Sequence, residues 1–355
     1  MSAPDRSSIL LEPGLVPVRL GRVSFLFARR ALLADGLLAM AVLLAMMFAL
    51  QAGSTWISPR ELLALVSGKG DGAVQLLVYE FRLPRAVVGL LAGAALGLAG
   101  CLLQALTRNR LATPDLLGLA DGATLAMLLA LIAGSTGMLG PWWVGPLGAL
   151  AAVCLLLLLA GRMGTQGQRL LIVGLALGAL LRAGLELAMS RQELLHASAL
   201  YSWSLGSLNG RGYTAALPLA VGLVVLLPIT LFSHRRLVLL RFESDLASSL
   251  GLSLRMCQWQ ALLTAVALAG LAIGLCGPIA FVALAAPLLA EKLSGGGRLA
   301  LLGSALAGSM LVVLADTVAR ILVPDTDLPV GVVCKLLGGP CLLWLLFAEH
   351  ERRHP

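Results

Sequence analysis

Arg82 and Arg85 flank a proline in Phe81-Arg82-Leu83-Pro84-Arg85, and Arg320 closes the run Leu314-Ala315-Asp316-Thr317-Val318-Ala319-Arg320. Each borders a long uncharged stretch, where a guanidinium can anchor a helix end by reaching back to the polar surface. The same three groups can also form a collar that docks an acidic partner. Asp316 precedes Arg320 by one turn, an order that supports an intrahelical pair. Two further cations, Arg182 and Lys335, lie inside apolar runs, where a charge is costly and faces a cavity or a partner. Glu186 follows Arg182 by one turn, so one reading is a neutralised pair on one helix face. The other is that Arg182 and Lys335 make a path electropositive for an anionic solute. All of this is ion recognition.

Covalent chemistry finds no footing. The one Gly-Lys pair, Gly68-Lys69, is followed by Gly70 and has Leu63 where a phosphate-binding loop needs its first glycine. The chain contains no GxSxG, and its single HExxH pattern, His350-Glu351-Arg352-Arg353-His354, lies in the charged run that follows the last apolar stretch. Its six cysteines (Cys101, Cys154, Cys257, Cys276, Cys334, Cys341) are scattered, and of its four histidines only His350 and His354 stand at short spacing, whereas a zinc site needs at least a third convergent ligand. We assign no catalytic residue and no metal ligand.

The elements that carry these residues are membrane spans. Charged residues make up 12% of the chain against about 25% in soluble domains, and mean hydropathy is +0.94. The net charge of +8 therefore reflects membrane topology and not nucleic-acid binding. Ala86 to Thr107 carries no charge and is long enough to cross a hydrocarbon core of about 30 Å. Gly89, Gly93 and Gly97 recur every fourth residue, so they share a face on which another backbone can pack closely. Apolar runs also fall near 31–50, 114–134, 140–160, 169–189, 214–232, 256–275, 279–293, 299–322 and 330–347. The 279–293 run is short, begins after Gly277-Pro278, and need not cross cleanly. Ten spans put both termini on one side, and that side holds seventeen of the 26 Lys and Arg residues against seven on the other. The positive-inside rule then makes the termini cytoplasmic.

Residues 1–30 are polar and lack a leading apolar region, so they read as a cytoplasmic extension and not a cleaved signal. Residues 31–348 form one all-α transmembrane domain. Between Gln51 and Tyr79 lies a polar connection in which Ser58-Pro59-Arg60-Glu61 starts a short helix. Residues 241–255 are the long polar interruption between late spans. Within them Glu243, Asp245, Ala247, Leu250 and Gly251 read as a short amphipathic helix closed by glycine. It is either a solvated loop or the grip of a soluble motor.

The chain resembles the FecCD-type permeases, the membrane subunits of ABC importers for ferric siderophores, haem and cobalamin. The resemblance rests on RLPRAVVGLLAGAALGLAG at 82–100, NRLATPDLLGLADGA at 109–123 and LIVGLALGALL at 171–181. It continues through DLASSLGLSLR at 245–255, GPIAFVALAAP at 277–287, LADTVAR at 314–320 and LPVGVVCKLLGGP at 328–340. SLNG at 207–210 and the SGGGRLAL region are most similar to ferric-enterobactin (catecholate) permeases. Departures fall at Arg110, where NPLA has proline, at Leu288 and Glu291, where PHxxR has histidine and arginine, and at Lys335, where TAL has alanine.

The resemblance implies a ten-helix subunit of type II architecture in the bacterial inner membrane, paired with a second permease, here as a heterodimer. It implies a periplasmic binding protein whose glutamates meet Arg82, Arg85 and Arg320. It also implies a cytoplasmic ATPase dimer, using ATP and Mg, that grips Glu243 to Gly251. The subunit itself would bind no cofactor and perform no reaction. Spans five and ten would line the path for a ferric siderophore, with haem or cobalamin as the alternative cargo. An ion-coupled secondary transporter would need an intramembrane carboxylate relay, for which Glu186 and Asp316 are the candidates. A purely structural membrane subunit would leave the 241–255 segment without a purpose.

Overall fold

The computed structural model describes residues 15–20, 23–53, 55–134, 141–161, 167–190, 201, 203–242, 244–251, 253–295, 298–322 and 328–340. Each of the ten apolar runs contains a helix. In chain order the helices are α1 (Arg29–Gln51), α2 (Pro59–Val66), α3 (Gly72–Leu76), α4 (Leu83–Thr107), α5 (Leu119–Ile132), α6 (Val144–Ala160) and α7 (Gly167–Met189). Then come α8 (Tyr213–Phe232), α9 (His234–Leu239), α10 (Ser244–Ser249), α11 (Leu254–Cys276), α12 (Val282–Leu293), α13 (Leu301–Leu322) and α14 (Val330–Pro340). Among the described residues six helical stretches are long and apolar enough to cross a membrane: α1, Gly72–Thr107, Ile172–Met189, α8, α11 and α13. Before α1, strands β1 (Leu15–Leu20) and β2 (Val23–Ala28) pair antiparallel with Leu20 opposite Val23. Both strands are rich in Val, Leu and Phe, a local β preference that the polar average of the first thirty residues conceals.

The core is built around α4, which packs against α13, α11 and α12. Leu96, Leu98, Leu102 and Leu103 are all fully enclosed, so α4 is buried on every side, as an interior membrane helix must be. It meets α13 antiparallel through small residues. A Cβ on Gly93 would strike the Gly308 carbonyl, one on Gly308 would strike the Gly93 carbonyl, and one on Gly97 would strike the Ser304 carbonyl. A Cβ on Gly89 would instead meet side chains, Leu208 Cδ1 at 3.0 Å and Val312 Cγ1 at 3.6 Å. Ser309 Oγ donates to the Leu90 carbonyl at 2.8 Å across the same seam. The contact therefore repeats each turn, and the two helices stay in register.

Several of the membrane helices are short as described, α5 and α12 among them. At about 1.5 Å per residue α5 and α12 reach roughly 21 and 18 Å, less than a hydrocarbon core of about 30 Å. The turns before them lie inside protein, where their polar backbone can be satisfied. The turn before α5 (Asp115–Leu117) sits on α7, where a Cβ on Gly174 would lie 2.6 Å from the Leu116 carbonyl. The turn before α12 is pinned by Ser207 N–H donating to the Cys276 carbonyl at 2.8 Å. The adjoining segment is tied to α14 by Gly331 N–H donating to the Gly206 carbonyl at 3.0 Å. Gly277 has a φ of 73° there with the Trp203 carbonyl against its α-carbon, a position open only to glycine.

Pro84 does not start its helix. The helix runs on from α3 through a π turn, Leu77–Arg82, in which Leu83 N–H donates to the Val78 carbonyl five residues back. A proline inside a helix removes one amide donor and crowds the carbonyl four residues earlier, and the wider turn absorbs both effects. The polar connection thus holds less loop than its composition suggests. It also contains α2, whose first turn is a reciprocal cap: Ser58 N–H donates to Glu61 Oε2 at 2.7 Å, and Glu61 N–H to Ser58 Oγ at 3.3 Å.

Two predictions follow from these contacts. Gly93→Ala drives a methyl into backbone and should lower stability by about 1–3 kcal/mol. Gly184→Ala, with open space at its α-carbon inside α7, should not lower the melting temperature in detergent, because alanine is the better helix former. The bonds from Ser58 hold the Glu61 carboxyl below its usual range, so the cap is complete above the ordinary value of 4.5 and is lost as pH falls through the lowered one. Amide exchange at Ser58 should be slower than in Glu61→Gln at neutral pH and should converge with it in acid.

Candidate functional site

The charged residues gather at three levels of the bundle: the end where α4 begins (the collar end), its interior, and the opposite basic end.

At the collar end the α4–α13 register places Arg85 opposite Asp316, two turns from the Gly93–Gly308 crossing on each helix. Arg85 Nε donates to both carboxylate oxygens at 3.0 and 3.1 Å, and Nη2 donates to Oδ1 at 2.8 Å. Its Nη1 donates to Asn209 Oδ1 at 3.2 Å. Asp316 also pairs with Arg320 one turn on, at 3.3 Å from Nε, although the angle there is not that of a hydrogen bond. One buried carboxylate thus serves two guanidinium groups, each about 15% exposed, and the trio keeps one net positive charge.

Arg82 and Arg320 share a second task at the end of α1, whose last carbonyls have no partner within the helix. Arg82 donates to the carbonyls of Leu50 and Gln51 at 2.8 Å each and of Thr55 at 2.5 Å. Arg320 donates to the carbonyls of Ala49 at 3.0 Å and Ala52 at 3.2 Å. Both cations also suit the negative end of the helix dipole. Arg82 is only 5% exposed and is turned wholly inward.

In the interior, Arg182 pairs with Asp121 of α5 at 3.1 Å and not with Glu186 on its own helix. An exposed i,i+4 pair on one helix is worth only about 0.3–0.5 kcal/mol, so little holds Arg182 to Glu186. Asp121 is buried and Arg182 is exposed on the outer face of α7, beside exposed Glu186. Lys335 is likewise exposed on α14. Asp115, in the buried turn before α5, lies within electrostatic reach of Asp121, Arg182 and Lys335. Glu186 is therefore not the only carboxylate at this depth. Asp115 and Asp121 escape a sequence reading because they sit beside the Pro114 turn and look like loop residues. The signal that could have found them was the lack of any other acid able to neutralise Arg182 from a packed helix. Among the described residues no three His, Cys, Asp or Glu side chains converge as metal ligands would.

At the basic end α4 stops at Arg108, which adopts a left-handed conformation and donates from Nε to the Leu240 carbonyl at 3.0 Å. Helix α10 follows and ends before Gly251, whose φ of 82° turns the chain. Within α10 Ala247 is buried, while Asp245 and Leu246, and Leu250 just after it, are exposed. Glu243 lies outside the described residues. Glu291, near the end of α12, meets Arg241 at 2.9 Å and Arg110 at 3.9 Å. Two of the positions where the chain departs from the motifs it resembles are thus neighbours in space.

This multi-helix membrane fold, with short helices set on buried turns, has the architecture of an ABC-importer permease. A solved metal-chelate type ABC transporter in an inward-facing conformation matches it with a TM-score of 0.78 at 24% identity, covering 89% of this chain and 99% of that one. The FecCD transport family model matches residues 41–348, and the chain belongs to that family. It is 34% identical to the ferric enterobactin transport system permease protein FepG of Escherichia coli K12, over 92% of this chain and 99% of that protein. Its identity to the Fe(3+)-citrate import system permease YfmE of Bacillus subtilis is 33%, over 92% and 98%. To the vitamin B12 import permease BtuC of Serratia proteamaculans it is 37%, over 87% and 91%.

Asp316→Asn strands two guanidinium groups and should cost about 3 kcal/mol. Adding Arg85→Gln to Asp316→Asn should cost less than the sum of the single changes, because the two share one interaction. Thermal unfolding of the four variants in detergent measures both effects.

Proposed function

We propose that this chain is the permease subunit of an ABC importer that moves a ferric siderophore of catecholate type from periplasm to cytoplasm. The observation that carries the reading is the end-to-end similarity to the ferric enterobactin permease. The chain sits in the bacterial inner membrane with both termini cytoplasmic, catalyses no reaction, and binds no cofactor of its own. A separate ATPase dimer supplies the energy from ATP and Mg. A second FecCD-type subunit completes the path, against which α7 and α14 present Arg182, Glu186 and Lys335.

The collar end then faces a periplasmic binding protein. Arg85 and Arg320, which share Asp316, retain a positive charge that an acidic lobe can meet. Arg82 has its donors committed to carbonyl groups and holds the end of α1 in place. On the cytoplasmic side α10, with Asp245, Leu246, Leu250 and Gly251 exposed, is the surface for the ATPase; Glu243 and buried Ala247 belong to the same segment. Relatives named for vitamin B12 and for Fe(3+)-citrate keep a second cargo in view.

The test is ATP-driven uptake into proteoliposomes that hold this subunit, its companion permease, the ATPase and the binding protein. Ferric enterobactin should enter with ATP and not with an ion gradient. Ferric citrate and vitamin B12 should compete poorly. Uptake of a competitor in place of the siderophore would overturn the cargo, and uptake driven by a proton or sodium gradient would overturn the importer. Arg85→Glu with Arg320→Glu should abolish stimulation by the binding protein. Arg82→Glu should instead lower the melting temperature. Arg182→Gln with Lys335→Gln should slow an anionic chelate, and full transport by that variant would remove these residues from the path.

A further inference from the structure

Glu291 stands in the last turn of α12, where the helix dipole disfavours a carboxylate. Its position gains nothing from the helix dipole, and cations from other elements reach it. Arg241 Nη2 donates to Glu291 Oε1 at 2.9 Å, and Arg110 Nη2 lies 3.9 Å from the same oxygen. Glu291 is 15% exposed and Arg241 29%, so their bond is partly screened from water; Arg110, at 55%, is the outer member. Arg241 immediately precedes the segment that enters α10. One residue earlier, the Leu240 carbonyl accepts from Arg108 at the end of α4. The entry to α10 is thus held from two sides, by backbone to α4 and by side chain to α12.

The other end of α12 reaches the interior. It begins at Phe281, whose ring packs against the α-carbon of Gly338 on α14. A displacement of the approach to α10 would therefore load α12 through the Arg241–Glu291 pair, and α12 abuts α14 at its far end.

We propose that Glu291 is a positioning residue that, through Arg241, anchors the approach to the short helix Ser244–Ser249 to α12, with Arg110 as an auxiliary cation. The consequence for transport rests on the reading of α10 as the ATPase contact.

The experiment has one arm that depends on this chain alone and one that depends on that reading. In the first, a spin label is placed at Ser249→Cys, with Cys154→Ser to remove an exposed thiol. Its mobility is compared in the parent, Glu291→Gln, Arg241→Gln and the exchanged pair Glu291→Arg with Arg241→Glu. Both neutral variants should mobilise the label, and the exchange should restore the parental spectrum. Arg110→Gln should have a smaller effect. Unchanged mobility in both neutral variants would overturn the proposal, as would failure of an exchanged variant that keeps the parental melting temperature to restore it.

The second arm measures substrate moved per ATP hydrolysed in the reconstituted complex. For a partly screened pair the neutral variants should lower that ratio by about fivefold, and the exchange should recover it. Mobility that shifts and is restored while the ratio stays constant would support the positioning role and overturn α10 as the ATPase contact.

Discussion

The structure depends on the close backbone contact between α4 and α13. In lipid, apolar side chains gain nothing by leaving one apolar environment for another, so helices associate where small residues let backbones touch. Gly93 and Gly97 on one helix, and Ser304 and Gly308 on the other, meet at carbonyl distance. Because the helices run antiparallel, each turn down α4 matches a turn up α13. That register carries Arg85 to Asp316 and, through Asp316, orders Arg320. A larger residue at the crossing would disturb the collar two turns away.

A second constraint is that polar backbone within the membrane must find partners in protein. Helices α5 and α12 are too short to span, and the turns that precede them are enclosed by α7 and by the segments around Gly206 and Gly331. These enclosed turns are where charges can be tolerated at depth. Asp121 pairs with Arg182 there, with Asp115 close by. The short helices also give the bundle elements whose two ends contact different things: α12 touches the α10 entry at one end and α14 at the other.

The departures from the family motifs become coherent at the basic end. Arg110 and Glu291 differ from the usual proline and arginine, and each looks like a loss when read singly. In the structure Glu291 receives Arg241 and lies beside Arg110, so the altered charges neutralise one another. Lys335 remains on an exposed face of α14.

Much of this protein was legible in its residues. Length of uncharged runs, the four-residue glycine spacing and the short 279–293 run determined a multi-helix membrane domain and most helix positions. The reason is that the hydrocarbon core imposes a length and a polarity on every segment that enters it. The Ser58 to Glu61 cap was equally plain, because a helix start is a local event. Which charges meet was not local. Arg182 chose Asp121 over Glu186, Arg82 turned to the carbonyls of α1, and the π turn before Pro84 carried the helix back to Gly72. Apolar faces that meet lipid and those that meet another helix are chemically alike, so periodicity leaves the pairing of helices open. Only packing decides it, and packing decides which arginine reaches which acid.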